Sequence, residues 1–202
     1  MTEEEARQWI IDSFGAPAEQ RLAMLVDMLR TASVQQNLVA ASTLGSIWAR
    51  HIVDSAQLLQ HGAESGLWLD IGSGAGLPGL VIAALRPEPI ELVEPRRMRT
   101  EFMQAAAAQL GLTNVAIVTA KVERTTGHAN VITARAVASL DQLFAGARHR
   151  ANVGTLWILP KGRNANVEVE AACRSWHGTF HVKQSITAAD SLIVVARGVA
   201  PR

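Results

Sequence analysis

The sequence predicts an α/β fold in which a mainly parallel β-sheet has helices on both faces. From residue 67 onward, short apolar runs typical of buried strands alternate with longer stretches of helical periodicity. A glycine-rich turn joins the first of these runs to the helix after it. Before residue 63 the apolar pattern is helical throughout. We therefore expect a helical cap over residues 1–62, packed on an α/β domain over residues 63–202.

Three helices are predicted in the cap, at about residues 2–13, 18–30 and 44–60. Thr2 and Glu5 form a capping box that opens the first helix. Gly15 and Pro17 separate it from the second. The third helix is expected to end by Gly62, since glycine is typical of a helix C-terminus.

Seven strands are predicted in the α/β domain, at about residues 67–71, 90–93, 115–118, 130–133, 155–159, 179–183 and 192–197. Its helices are predicted at about residues 78–85, 96–110, 139–150 and 167–175. Gly111 marks the end of one helix, and Ser139 with Gln142 forms a capping box at the start of another. The last two strands are expected to form a hairpin.

The turn after the first strand predicts a site for a nucleoside-bearing cofactor. Alternate glycines permit positive φ and a close approach of a ligand to the main chain. Free N–H groups at the start of the next helix are expected to face that ligand. In one register, Gly74 to Gly79 matches the G-x-G-x-x-G of dinucleotide-binding proteins. That register leaves Asp70 unpaired inside a buried strand, which is costly. The other register places Asp70 at the end of the strand and starts the loop at Gly72.

In the second register, Asp70-x-Gly72-x-Gly74-x-Gly76 resembles the first motif of the class I S-adenosylmethionine (SAM) methyltransferases, whose fold is Rossmann-like. SAM has no diphosphate and needs no anion cradle, while its ammonium and sulfonium groups favour a nearby carboxylate. We therefore prefer SAM to NAD. A glycine turn without a ligand is the least favoured interpretation.

Two further positions are expected at the same edge of the sheet. Glu94 ends the second strand, 22 residues after Gly72, where an acid typically accepts hydrogen bonds from a ribose. The loop with Val122 and Glu123 follows the third strand, and Val122 is placed to contact an adenine. An ordinary strand-end acid and an ordinary loop are the alternatives.

The absence of two motifs restricts which kind of atom the protein can methylate. Residues 134–137 lack the Asn/Asp-Pro-Pro-aromatic motif of many amino-group methyltransferases, and there is no Cys-Pro or Thr-Cys nucleophile for attack on a pyrimidine carbon. A ring nitrogen with its own lone pair needs neither the amino-group motif nor a cysteine nucleophile. Guanine N7 is such an atom, and alignment with exclusion of water would suffice for its methylation.

Four motifs together identify a family: Arg50-His51-x-x-Asp54-Ser55, Asp70–Gly79 with its Leu-Pro-Gly end, Arg135-Ala-x-Ala-Ser139 and Leu159-Pro160-Lys161-Gly162. With them the chain resembles, over about residues 37–197, the RsmG (GidB) family of bacterial 16S ribosomal RNA guanine-N7 methyltransferases. The resemblance implies SAM as cofactor and 16S rRNA, within or outside the 30S particle, as partner. The chain departs from the family pattern at Val39, often Thr, and at Glu94, often Asp, and it has no tyrosine.

The resemblance also implies site residues. The cofactor site would involve Gly72, Leu77, Val122, Glu123 and Arg135, with Glu94 on the ribose and with Asp70 and Gly74 in the same loop. Candidates for contact with the target base or the RNA are Arg50, His51, Arg135 and Lys161. The alternatives are a surface position for Arg50, a hydrogen-bonded histidine for His51 and a solvated loop lysine for Lys161.

Composition sets outer limits on the function. No run approaches the ~20 apolar residues of a membrane span, and the acidic N-terminus lacks a signal-peptide pattern. The single cysteine, Cys173, permits neither an internal disulfide nor a cysteine-based metal site. We therefore expect a cytoplasmic protein with no membrane association and no metal, and a monomer, since nothing in the sequence demands a larger assembly.

Charge is unevenly distributed along the chain, although its net value is only +1. Residues 124–163 hold six basic side chains and one acidic side chain, a net of +5. Such asymmetry can attract a polyanion to one face. Scattered surface arginines are an equally good interpretation.

Overall fold

The structure is a computed structural model that describes residues 1–62 and 65–202. Its α-helices are α1 (Glu3–Phe14), α2 (Ala16–Gln36), α3 (Asp54–Ala56), α4 (Gly79–Leu85), α5 (Arg97–Gln109), α6 (Leu140–Ala147) and α7 (Ala165–Ser175). Its strands are β1 (Trp68–Ile71), β2 (Ile90–Val93), β3 (Val115–Val118), β4 (Val131–Thr133), β5 (Leu156–Lys161), β6 (Trp176–Gln184) and β7 (Leu192–Pro201). The predicted border between cap and domain adjoins residues 63 and 64, which lie outside the described residues.

The seven strands form one sheet in the order β3-β2-β1-β4-β5-β7-β6. β1 to β5 are parallel, and β7 runs antiparallel between β5 and β6. The seven predicted strands and the terminal hairpin are therefore confirmed, in a sheet that β7 makes mixed. The chain enters at β1, adds β2 and β3 on one side, and then returns to add β4 on the other side. The carboxyl ends of β1 and β4 thus flank the crevice where such sheets bind ligands.

A separate apolar core covers each face of the sheet. The cap, α4 and α5 pack on one face, and α6 and α7 pack on the other. On the second face, the ring of Phe144 makes edge contacts with Trp157 and Trp176, at centroid distances of 5.0 and 5.6 Å. These two tryptophans, with Trp48 and Trp68, are buried, so they belong to the core rather than to a base-stacking surface.

The cap begins as predicted and then departs from a regular helix. Thr2 and Glu5 form the capping box of α1, but the predicted helix over 44–60 is divided into a 3₁₀ turn (Ala41–Ser46), a π-helical turn (Trp48–Val53), α3 and a second 3₁₀ turn (Gln57–Gln60). The Glu3 carboxylate of α1 accepts the N–H groups of Trp48 (3.1 Å) and Ala49 (3.0 Å). Because these two N–H groups donate to α1 and not to the preceding 3₁₀ turn, the π-helical turn begins at Trp48 as a separate element. π-Helical turns are frequent at functional sites, and this one carries Arg50 and His51.

In the described part of the chain, no helix has both the length and the apolar character to cross a membrane.

Candidate active site

The glycine loop between β1 and α4 bonds its main chain internally. Five of its N–H groups have protein acceptors, namely those of Gly72, Ser73, Gly74, Gly76 and Leu77. The acceptors are the carbonyls of Val93 and Ser73 and the carboxylate of Glu94. At the start of α4, the N–H groups of Gly79 and Leu80 are likewise bonded, to Asp70 and to the Gly76 carbonyl, so the expectation that free N–H groups of the helix start face the ligand is wrong for these two. A diphosphate, which depends on such donors, would find little to bind, so the geometry favours a ligand without one.

Positive φ at the glycines shapes this loop. Gly72 has φ +66° and Gly74 has φ +57°, values that side-chain-bearing residues rarely adopt. A Cβ on Gly74 would have the carbonyl of Gly72, at 3.7 Å, as its nearest neighbour. The main chain at Gly74 is therefore open to the close approach of a ligand. Leu77, by contrast, has its side chain buried in the core on the cap side and can offer a ligand only its main chain.

Asp70 lies differently from the prediction. The strand ends at Ile71, as predicted, but the Asp70 side chain is fully buried within it. Oδ2 accepts the N–H of Gly79 (3.0 Å), and Oδ1 has no partner among the described residues. Burial raises the pKa of Asp70 to about 7, against the opposing effects of its hydrogen bonds and of Arg135. The argument that a buried, half-satisfied Asp70 excludes a register was therefore wrong, because a raised pKa reduces the cost of burial.

Glu94 joins the glycine loop to the next loop along the edge. Its carboxylate accepts the N–H of Gly74 (3.0 Å), the N–H of Arg96 (3.0 Å) and the Nε of Arg96 (2.7 Å). Burial opposes ionisation, but the hydrogen bonds from Arg96 and Gly74 outweigh it and leave the pKa of Glu94 below its usual value. Glu94 is therefore a buried carboxylate, held in place at the position predicted for a ribose acceptor.

A first cavity opens beside Glu123 on the α6 side of the sheet, and we call it the nucleoside cavity after the role proposed for it below. Its volume is about 600 Å³. Its lining is mostly apolar and comprises Ile71, Val122, Glu123, Val137, Ala138, Gln142, Leu143, Ala145, Gly146 and Ala147. A Cβ on Gly146 would lie 3.3 Å from Oε1 of Glu123. The predicted pair Val122 and Glu123 thus borders a space of the size and polarity of a small-molecule site.

A second cavity, the acceptor cavity, lies at the carboxyl ends of β4 and β5 and has a volume of about 470 Å³. Its cations are Arg50, Arg135 and Lys161, and its carboxylates are Asp54 and Glu168. The structure therefore brings together three of the residues predicted to contact base or RNA, although they come from the cap, from the end of β4 and from the end of β5.

Neither Arg135 nor Lys161 is a free cation. Arg135 donates to Asp54 (3.4 Å) and to the Arg50 carbonyl (3.3 Å). The Nζ of Lys161 donates to the Ala138 carbonyl (2.6 Å). Residues 135–138, which we call the strap, are therefore attached at both ends by charged side chains, and Val137 and Ala138 border both cavities.

His51 is held away from the acceptor cavity. The Thr43 hydroxyl donates to the Ala40 carbonyl (2.7 Å), so its oxygen can only accept from His51 Nε2 (2.8 Å). Nδ1 is then the unprotonated nitrogen, and it is buried without a partner among the described residues. Burial, with Arg135 and Arg50 nearby, lowers the pKa of His51 to about 3. A neutral imidazole is the result, in a smaller cavity of about 330 Å³ that adjoins the acceptor cavity.

Sequence reasoning missed a buried polar network behind Arg135. Asp54 Oδ1 accepts from Gln57 Nε2 (3.0 Å) and from the hydroxyl of Thr187 (3.1 Å), in the loop between β6 and β7. Gln57 also donates to Ser185 (2.9 Å). The network ties the cap to the terminal hairpin and orients the carboxylate that faces Arg135. Asp54 stood in the Arg50–Ser55 motif, which was the one available signal.

The basic segment 124–163 does not form one cationic face. Arg150 is fully buried, where it pairs with Glu91 (2.9 Å) and donates to Thr125 and to the Gly127 carbonyl. Lys161 and Arg135 are also engaged, as described above. Of the two interpretations left open for this segment, the structure therefore does not support a single cationic face made of all six basic side chains. Within residues 1–62 and 65–202, no group of three or more His, Cys, Asp or Glu side chains is placed to hold a metal ion.

Known proteins with similar sequences share one description. A sequence model of the family "rRNA small subunit methyltransferase G" matches residues 18–193. A protein named ribosomal RNA small subunit methyltransferase G from Erythrobacter litoralis is 45% identical over 98% of this chain and 97% of that protein. One of the same name from Novosphingobium aromaticivorans is 47% identical, over 98% of this chain and 89% of that protein.

Solved structures extend the likeness to the fold. A SAM-dependent methyltransferase from Aquifex aeolicus superposes with a TM-score of 0.60 at 11% identity, over 77% of this chain and 93% of that chain. TYW2 from M. jannaschii, solved in complex with AdoMet, gives a TM-score of 0.57 at 11% identity, over 75% and 76% of the two chains. These likenesses show a class I methyltransferase fold, as predicted. The sequence matches show that the chain belongs to the rRNA small subunit methyltransferase G family.

Proposed function

We propose that the chain is a SAM-dependent methyltransferase that methylates N7 of a guanine in the 16S rRNA of the small ribosomal subunit. The observation that supports this most directly is the pair of cavities at the carboxyl edge. One is mostly apolar and lies beside Val122 and Glu123, and the other is lined by three cations and two carboxylates. Two substrates of different character, a nucleoside cofactor and a nucleotide of RNA, match this pair.

The residues present fit SAM better than a dinucleotide. The loop N–H groups that would bind a diphosphate already have acceptors. Asp70 Oδ1 is a buried carboxylate oxygen without a partner among the described residues, and a cationic ligand nearby would favour its ionised form. Glu94 would accept hydrogen bonds from the ribose, and Val122 and Glu123 would border the adenine. We propose the loop main chain at Gly72, Gly74 and Leu77 as the remaining contact.

The chemistry leaves little for an acid or a base to do. SAM supplies, when bound, an electrophilic methyl group on a positively charged sulfur. Guanine N7 has a free lone pair at neutral pH, so no residue of the chain has to remove a proton. The neutral, buried His51 is consistent with this. The chain contributes binding, alignment of the two ligands and exclusion of water.

The acceptor cavity has the charge balance for a nucleotide. Three cations, Arg50, Arg135 and Lys161, face two carboxylates, Asp54 and Glu168, which leaves an excess of one positive charge. Of these cations, Arg50 is exposed, and we propose it as the one that contacts RNA directly. The modest excess also implies weak binding of unstructured RNA, since such binding depends on the number of phosphates neutralised.

We therefore propose the 30S particle, rather than naked 16S rRNA, as the substrate. A preformed RNA surface would add contacts that the few free cations cannot supply. We further propose that the enzyme acts as a monomer in the cytoplasm, with residues 1–62 as a cap that contributes Arg50 to the catalytic domain of residues 63–202.

Transfer of labelled methyl groups tests the proposal. The protein is incubated with methyl-labelled SAM and, in parallel, with 30S particles that lack the modification, with naked 16S rRNA and with a bacterial lysate free of ribosomes. We expect label in the 30S particles at one guanine, mapped by strand cleavage specific for N7-methylguanosine. Label only in a protein or small molecule of the lysate would establish a methyltransferase of another substrate class and contradict the proposal.

A further inference from the structure

The strap stands between the two proposed ligand sites, and an inference about it rests on the proposed function. Val137 and Ala138 line both the nucleoside cavity and the acceptor cavity. A methyl group that moves from one cavity to the other has to pass the strap. The position of these residues therefore decides whether the two sites meet.

Lys161 holds the end of the strap, and Glu168 in turn holds Lys161. Its Nζ donates to the carbonyl of Ala138 at 2.6 Å and lies 2.9 Å from Oε2 of Glu168. The Lys161 side chain is only 10% exposed. The same oxygen of Glu168 accepts the N–H of Leu140 (3.1 Å), the first residue of α6. Since an ammonium has three N–H donors, two of those of Lys161 are committed within the protein.

Val137 rests on the glycine loop. A Cβ built on Gly72 would lie 2.7 Å from Cγ2 of Val137, closer than real side chains approach. The side chain of Val137 is nevertheless 45% exposed on its other side. Ala136, directly before it, has φ +54°, and a non-glycine residue in the left-handed region costs about 1 kcal/mol. This strained residue keeps its conformation because the strap is held on either side of it.

We propose that Lys161 and Glu168 are positioning residues for methyl transfer: by holding the Ala138 carbonyl they set Val137 against Gly72, and Val137 then forms the wall between the cofactor site and the base site. Lys161 acts through the strap and makes no contact with the target base. The role differs from that of a phosphate- or base-binding lysine, for which the pairing with Glu168 would be a hindrance.

The contact between Val137 and Gly72 can be observed without any ligand. In a methyl-labelled sample, the nuclear Overhauser effect between the Val137 methyl groups and the Gly72 α-protons reports it. We expect this signal to fall at least threefold in Lys161→Met and in Glu168→Gln, and to persist in Lys161→Arg, which keeps a donor and a charge. Lys183→Met is the matched control, because the Lys183 side chain is exposed on β6 and makes no hydrogen bond within the described residues.

Binding and kinetics distinguish positioning from contact. We expect Lys161→Met and Glu168→Gln each to weaken SAM affinity about fivefold in calorimetry and to lower kcat on 30S particles at least tenfold, with KM for the particle changed less than twofold. If Lys161→Met raises that KM tenfold while the Val137–Gly72 signal and SAM affinity stay at wild-type values, Lys161 contacts RNA and the inference is wrong. If Lys161→Met does not fold, an unchanged signal in Glu168→Gln overturns it equally. Absence of SAM binding by the wild type would contradict the proposed function alone, because the ligand-free signal still tests the strap.

Discussion

On the β1–β3 side of the carboxyl edge, main-chain hydrogen bonds hold the site together, whereas on the β4–β5 side charged side chains do so. In the glycine loop, N–H groups bond to the carbonyl of Val93 and to the carboxylate of Glu94. At the start of the strap, Arg135 pairs with Asp54. Lys161 of β5, which holds the end of the strap, pairs with Glu168. The first arrangement is fixed by local geometry and suits a ligand common to many enzymes. The second arrangement joins segments that are far apart in the sequence, and it suits a target that is specific to one enzyme.

The difference predicts how each side fails. A change in the glycine loop alters the main chain and should reduce cofactor binding directly. A change among the charged pairs should act mainly on the transfer step, and it should weaken SAM binding only about fivefold even where it frees the strap from the glycine loop. The following variants test that contrast, from the largest expected effect to the smallest.

Gly72→Ala is expected to cause the largest loss. Its Cβ would lie 2.7 Å from Val137, in addition to the strain of a side chain at φ +66°. Gly111→Ala is a matched control, because Gly111 has the same φ but no atom within 4 Å of a built Cβ. The strained φ should cost both variants about 1 kcal/mol of stability in urea unfolding, and the clash with Val137 should add to that loss in Gly72→Ala alone. Only Gly72→Ala should lose SAM affinity in calorimetry, by about 100-fold; equal SAM affinities in the two would refute the role of this glycine.

Glu94→Gln is expected to weaken SAM binding about tenfold. The amide cannot replace a carboxylate that accepts from Gly74 and from both the main chain and the side chain of Arg96. Glu101→Gln removes an exposed carboxylate that pairs with Arg97 one helical turn away, a type of pair that contributes little. Glu101→Gln should therefore leave the dissociation constant for SAM unchanged. A Glu94→Gln protein that binds SAM as tightly as wild type would contradict the ribose assignment.

The pH dependence of stability should reveal the buried carboxyl of Asp70. Its pKa in the folded protein is about 7, against 3.8 for the model compound, so between these values the native state holds more protons than the unfolded state. The free energy of unfolding should therefore fall as pH rises from about 4 to about 7, by on the order of 3 kcal/mol, and then level off.

Asp70→Asn removes the titrating carboxyl, so the variant is the reference against which the pH dependence of the wild type is measured. Urea unfolding at pH 4.5, 6 and 8 should show the wild type losing stability relative to the variant as pH rises. Parallel stability curves for the two proteins across that range would mean that Asp70 is ionised throughout and that its burial has another compensation.

Thr187→Val should give the smallest effect, confined to the other side of the edge. It removes one buried hydrogen bond to Asp54 and should cost about 1 kcal/mol of stability. It should also lower kcat on 30S particles severalfold, since Asp54 orients Arg135, while SAM affinity stays unchanged. Thr187→Ser, which keeps the hydroxyl, should restore kcat. A loss of SAM affinity in the valine variant would show that the two sides are not independent.

The same contrast explains what could be predicted from the sequence. Gly72, Glu94 and Val122 each follow a strand at a fixed place in the fold, so order and spacing predicted their positions at one edge. Asp54 and Thr187 are brought together only by the complete fold, and a pair so distant in sequence leaves no periodic signal. Arg150 likewise looked like a surface cation at a helix end, because nothing near it in the sequence indicates its buried partner Glu91.

Errors within the glycine loop have a different origin. The pattern of glycines predicted its place correctly but not the direction of its N–H groups, which depends on how the loop folds back on Val93 and Ser73. The burial of Asp70 was also missed, because the sequence does not show that the N–H of Gly79 and a raised pKa accommodate the carboxyl inside the strand. In both cases the residue types are compatible with either geometry.

A crystal structure with S-adenosylhomocysteine would test the assignment of the two cavities most directly. We predict the adenosine in the nucleoside cavity between Val122 and α6, with the ribose hydroxyls on Glu94 and the cation-lined cavity left free for the RNA nucleotide. An adenosine bound instead among Arg50, Arg135 and Lys161 would contradict the account.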